Sequence, residues 1–216
     1  MPSTIPATAT ASPVRRRAGA ARLSREDWLD AAFAAVVEGG FDQARVLMLA
    51  DRLGVTRGSF YWHFADHAAL IQALLERWQH QENTANARLM AIETQDPEDD
   101  LVQLLEAALA HAGADLENMR FELALRGLGR RDAQVAALLA LVDRQRMNLF
   151  EHKFLRLTGD PASAGDLAAL FYLSIVGSYQ ALSRPNSPAS TKAYLMGVIR
   201  RYVIARPAPA AAPRRD

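Results

Sequence analysis

Cysteine is absent from the 216 residues, which removes disulfides, thiolate metal sites and thiol catalysis and fits a reducing cytoplasm. No apolar run reaches the ~20 residues that a membrane-crossing helix needs. The first 20 residues also lack the apolar block of a secretory signal, so neither export nor a membrane partner is expected. Gly-x-Ser-x-Gly and Glu-x-x-His repeats are missing too. GLGRR at 127–131 has no strand pattern before it and is no phosphate loop. A helical-bundle enzyme therefore finds little support: no catalytic or metal-ligating residue and no cofactor is expected. Glu76 and His80 stand four apart, better suited to surface pairing than to a two-ligand metal site.

Acids are missing from one region only. Residues 1–25 hold Arg15, Arg16, Arg17, Arg22 and Arg25 with no acid, whereas residues 26–64 hold three basic residues against six acidic ones. The net charge of +1 hides this asymmetry. Residues 1–21 are rich in Pro, Ala, Ser and Thr without periodicity and read as a disordered basic arm. Arg15 to Arg17 are either solvated cations or an arm lying along phosphates or in a minor groove.

A hydrophobic fraction of 50% and repeated helical stripes indicate an all-α protein of about nine helices. Ser24 with Asp27 forms a capping box, with Leu23 and Trp28 as a staple, and Gly39-Gly40 ends this first helix. A second helix covers about 46–53, its VLML start expected to be packed between neighbours. Asp66 caps a fourth helix with Leu70, Ile71, Leu74, Leu75 and Trp78 as its stripe, running to about Ile92. Further helices start at Asp96-Pro97, Leu116, Asp132, Asp160-Pro161 and Ser187-Pro188. The ninth carries Tyr194, Leu195, Val198, Ile199 and Tyr202 before a Pro/Ala-rich tail at 206–216, expected to be disordered.

The stretch with the most chemistry is LADRLGVTRGSFYWHF at 49–64. Two helices joined at a steep angle by a short turn need a small residue at the crossing and one that tolerates positive φ at the corner. Ala50 and Gly54 supply these, Thr56 can cap the next helix, and Phe60 can plug into the core. Thr56, Arg57, Gly58, Ser59, Tyr61, Trp62 and His63 are then free to meet phosphates and base edges of double-stranded DNA. The alternative is an ordinary helical hairpin with its aromatics inside.

Gly54, Val55, Thr56, Gly58, Ser59, Phe60, Tyr61, His63 and Phe64 closely resemble the DNA-reading segment of the tetracycline-repressor (TetR) family of bacterial regulators. The resemblance covers about residues 24–75. Arg45 stands where the family usually has Ser or Thr, and His67 where it has Lys or Arg; both join the DNA-contact candidates.

The resemblance implies an arm at 1–21, a three-helix DNA-binding domain at 22–68 and a helical ligand-binding and dimerisation domain at 69–205. It implies a cytoplasmic bacterial regulator, most often a repressor, that binds an inverted-repeat operator as a homodimer and is released by a small-molecule effector. A ligand-independent architectural DNA binder is the alternative. The implied dimer interface is a four-helix bundle using Phe171, Ser174, Ser178, Leu182, Tyr194, Leu195, Val198 and Tyr202. The implied effector cavity among the fourth to eighth helices has Trp78, Phe121, Phe150 and Tyr172 as candidate walls and His111 and Arg126 as candidate polar contacts. A buried Arg126 needs an anion, from Glu122 or from a ligand carboxylate.

Overall fold

The computed structural model describes residues 23–114 and 116–180 together with Tyr194, Gly197, Val198 and Arg201. Eight α-helices follow one another among these residues, with no strand: α1 (Arg25–Gly39), α2 (Val46–Leu53), α3 (Arg57–Phe60), α4 (His67–Met90), α5 (Pro97–Ala114), α6 (Leu116–Gly129), α7 (Ala133–Thr158) and α8 (Pro161–Gln180). A single 3-10 turn at Phe41–Gln43 joins α1 to α2. The expected ninth helix lies almost wholly outside the described residues, although Tyr194, Gly197 and Val198 are helical.

The local signals act as their chemistry dictates. Ser24 Oγ accepts from Asp27 N at 3.2 Å, while the Asp27 carboxylate accepts from Ser24 N at 2.6 Å. These bonds to Ser24 hold the Asp27 carboxyl below its usual range. Gly40 ends α1 at φ 83°, Gly159 ends α7 at φ 67°, and Asp66 and Asp132 cap α4 and α7 through their side chains.

One core runs through the head and into the body. Trp28, Leu29, Leu49, Phe60, Leu70 and Leu74 share it with Phe121, Leu125, Val135 and Val142. Phe121 carries the junction, stacked on Phe33 with centroids 5.0 Å apart and tilted against Phe41 at 5.7 Å. The sequence-level boundary at residue 68 is therefore crossed by continuous packing.

A second core joins Leu101 and Leu104 of α5 to Leu149, Phe150 and Phe154 of α7 and to Ala164, Ala168, Phe171 and Tyr172 of α8. The two alanines let α7 and α8 approach closely. Beneath this core Lys153, 1% exposed, donates to the carbonyls of Met90 and Ile92 and reaches Asp100 at 3.4 Å. Arg156 binds Asp100 at 2.5 Å and the Thr94 carbonyl at 2.8 Å. The free carbonyls that follow α4 are thus tied to α7.

Two expectations are corrected. The VLML start of α2 is not enclosed: Leu47 is 58% and Met48 42% exposed, because the inward side of α2 is made by Leu49 and Ala50, with Val46 and Leu53 partly buried beside them. Phe171, assigned to the dimer face, is buried within the subunit, its ring edge-on to Phe150 at 4.9 Å. The outward apolar residues of α8 are Leu170 and Leu173, one and two positions round the helix from it. Leu182, Leu195 and Tyr202 lie outside the described residues, as does the side chain of Ser178; Tyr194 and Val198 are exposed and Ser174 half-buried.

Candidate functional site

The corner between α2 and α3 is built as the spacing requires. Gly54 adopts φ 67°, Val55 N donates to Ala50 O at 3.0 Å, and Ala50 is buried where the helices cross. Phe60 is fully buried, edge-on to Trp28 at 5.3 Å and stacked on Phe64 at 5.4 Å. That anchor fixes which side of α3 faces out.

The outward face carries Thr56, Arg57 and Gly58, all exposed, with Ser59 and His63 half-buried. Tyr61 is 55% and Trp62 78% exposed. An indole this open on a lone subunit has no packing role there, and it stands beside a guanidinium and a phenol. Two details differ from expectation. Thr56 occupies the cap position in extended backbone, yet its side chain accepts no capping hydrogen bond. The helix itself ends at Phe60, so Tyr61, Trp62 and His63 lie on a turn held by His63 N to Phe60 O at 2.9 Å and Phe64 N to Phe60 O at 3.1 Å.

Around this face Arg45 is exposed at the start of α2 and forms no cap with its side chain. His67 places Nε2 3.0 Å from Ala44 O. A carbonyl only accepts, so Nε2 carries the proton, and the ring ties α4 to the linker before α2. Arg52 is paired with Glu38 through both guanidinium nitrogens, leaving Arg45 and Arg57 as the unpaired cations described between residues 26 and 64. Sequence reasoning gave Arg25 no position; its guanidinium lies 4.9 Å over the Phe64 ring.

About four turns further along α4, a cavity of about 560 Å³ opens among α4, α5, α6, α7 and α8. Leu89, Leu149, Phe150, Tyr172 and Ile175 line it together with Glu82, Asn86 and Arg146. Of the candidate walls, Phe150 and Tyr172 lie there. Trp78 and Phe121 belong to the head core instead, and the His111 side chain lies outside the described residues.

Arg126 spends its donors on the protein. It binds Glu122 at 2.7 Å and Asp143 at 2.8 Å, and its Nη2 lies 3.1 Å from Tyr172 Oη. Arg146 adds a bond to Glu82 at 2.7 Å and two to Glu122 at 2.9 and 3.0 Å. Burial opposes ionisation of Glu122, but the Arg146 and Arg126 charges outweigh it and hold the carboxyl below its usual range. Burial, with the Asp143 acceptor, pushes the Tyr172 phenol up to about 12. Protein carboxylates thus supply the anion that Arg126 needs, and no ligand carboxylate is required. Glu82, Asn86 and Arg146 went unnoticed in the sequence as cavity residues.

Residues 29–74 match the family described as bacterial regulatory proteins, tetR family. Over 66 residues the chain is 38% identical to the uncharacterized HTH-type transcriptional regulator TtgW of Pseudomonas putida, covering 31% of this chain and 49% of that one. Over 54 residues it is 41% identical to the class D tetracycline repressor of Escherichia coli, covering 25% of each. The chain spans about half the length of the first of these relatives and a quarter of the second. In fold it is similar to a transcriptional regulator from Rhodococcus sp. Rha1, with TM-score 0.64, 22% identity and coverage of 83% and 97%. It is similar also to a putative regulator from Saccharomonospora viridis solved in complex with choline, with TM-score 0.67, 18% identity and coverage of 83% and 96%. Over its helix-turn-helix head, residues 29–74, the chain is similar to the tetR family of bacterial regulatory proteins.

Proposed function

We propose that the protein is a ligand-responsive transcriptional regulator that binds an inverted-repeat DNA operator as a homodimer, most simply as a repressor released by a small-molecule effector. The observation that carries this reading is the exposed edge of Arg57, Tyr61 and Trp62 standing on the buried Phe60. Arg57 can fork to a guanine or bind phosphate, Tyr61 and Trp62 can pack on sugars and thymine methyls, and Arg45 can neutralise a phosphate.

One head contacts few bases, so pairing is needed for operator-length recognition. Leu170 and Leu173, 64% and 66% exposed on α8, support a second copy docking there. The arginines of the arm at 1–21 would add salt-dependent phosphate contacts. The family of the head and the similarity to a regulator solved in complex with choline support an effector role for the cavity. α4 is capped by Asp66 beside the DNA-facing turn and lends Glu82 and Asn86 to the cavity. An effector that prefers one tilt of α4 would shift the spacing of the heads, and DNA would disfavour that effector by the same factor.

Selection of bound duplexes from a random pool tests the reading. The expected product is an inverted repeat with half-site centres about 34–36 Å apart. Enrichment of no sequence, or of an unpaired site bound by a monomer, would overturn it.

A further inference from the structure

Taking the cavity between α4 and α8 as the effector site, as proposed above, we infer that its ligand is uncharged and largely apolar and presents a hydrogen-bond acceptor, a carbonyl in the simplest case, to the Asn86 side-chain amide. Asn86 lines the cavity, and its Nδ2 is buried without a hydrogen-bond partner among the described residues. A buried N–H left unpaired is costly, so the site stands ready for an acceptor.

The charges of the wall are already matched. Arg126 and Arg146 are held by Glu82, Glu122 and Asp143, three carboxylates against two guanidiniums. An incoming carboxylate would meet Glu82, 7% exposed, and a guanidinium, Arg146, whose charge Glu82 and Glu122 already match. Arg88, also on the lining, is exposed, so water already solvates its charge and a ligand anion would gain little from it. Glu82, the one carboxylate on the described lining, is already paired with Arg146, and the unpaired group of Asn86 is a donor that cannot accept from an ammonium, so a cationic ligand gains no free acceptor from either. Leu89, Leu149, Phe150 and Ile175 form the apolar part of the lining, beside the polar His80, Gln81, Thr84, Asn118 and Tyr172, and the volume of about 560 Å³ suits a ligand of two or three rings.

The test is calorimetric titration of the full chain with four probes of one shape: 2-acetylnaphthalene, 2-ethylnaphthalene, 2-naphthoate and 2-(aminomethyl)naphthalene. The ketone should bind about tenfold more tightly than either ion and severalfold more tightly than the ethyl compound, the ratio expected of one good hydrogen bond. This comparison needs no variant. Asn86→Leu should erase the advantage of the ketone over the ethyl compound, and Ala85→Trp, which puts an indole into the cavity that Ala85 lines, should abolish binding of both while DNA binding persists.

Equal or tighter binding of the naphthoate or the amine, lost in Ala85→Trp, would overturn the uncharged class yet keep the cavity as an effector site. A ketone no better than the ethyl compound would overturn the role of Asn86. Binding of no probe, or binding indifferent to Ala85→Trp, would overturn the inference and the effector reading of the cavity together, while leaving the DNA-binding head untouched.

Discussion

Replacing Glu122 by glutamine perturbs the buried charge network at its centre. Glu122 is 5% exposed and accepts four hydrogen bonds, from Arg126 at 2.7 and 3.0 Å and from Arg146 at 2.9 and 3.0 Å. Glutamine keeps the shape and one acceptor but turns an amide N–H toward guanidinium N–H groups. Removing one partner of a buried ion pair costs about 3–5 kcal/mol. Here Asp143 and Glu82 still hold one guanidinium each, so the lower end, about 3 kcal/mol, is expected.

The pH dependence follows with a definite sign. The folded carboxyl titrates below its usual value, so its contribution is complete above the unfolded pKa of about 4.3 and is lost as pH falls toward the folded pKa. Glutamine has no such step. Urea unfolding at one fixed protein concentration should therefore show a gap of about 3 kcal/mol between wild type and Glu122→Gln at neutral pH. That gap should narrow progressively below about pH 4.3. Equal stability at neutral pH, or a gap that does not change on acidification, would refute the reasoning.

Lys153→Met leaves the buried Asp100 carboxylate with Arg156 alone and frees two carbonyls after α4; a loss of about 3 kcal/mol or more in urea unfolding is expected. Combined with Asp100→Asn it should cost less than the sum of the two single changes. Gly54→Ala meets no atom within 4 Å but must hold φ 67°, so it should cost about 1–2 kcal/mol, seen as a lower midpoint with an unchanged urea slope. Phe121→Ala removes a fully buried ring from between Phe33 and Phe41. It should cost about 3–5 kcal/mol and raise amide exchange in α1 ahead of α8, since the head loses its contact with α6.

The head was legible because its constraints are local. A capping serine, a corner glycine and a buried Phe60 each act within a few residues, and the outward position of Arg57, Tyr61 and Trp62 follows from them. The extent of α3 was not legible, since Tyr61 to Phe64 carry helix-compatible side chains but close as a turn. In the body the helix boundaries could be read from Pro, Gly and Asp signals; the faces could not. Phe171 and Leu170 are adjacent and equally apolar, and only the packing of α8 on α7 decides which is inside.

The cavity lay hidden for a related reason. Glu82 and Asn86 continue the Trp78 stripe of α4 at four-residue spacing, and Arg146 and Lys153 interrupt the stripe of α7. Polar residues at such positions were the available signal, but their partners lie 24 to 64 residues away in sequence. Spacing along one helix cannot supply those partners.

The claim on which the account turns is that the face around Trp62 enters a DNA duplex, and its own fluorescence tests it. Of the three tryptophans, Trp28 is 0% and Trp78 3% exposed while Trp62 is 78% exposed, so acrylamide quenching of the intrinsic emission reports Trp62 almost alone. Saturating the protein with its selected duplex should suppress that quenching, and Trp62→Phe should remove the quenchable fraction altogether. Full quenching of Trp62 in a complex shown by anisotropy to be saturated with DNA would contradict the account.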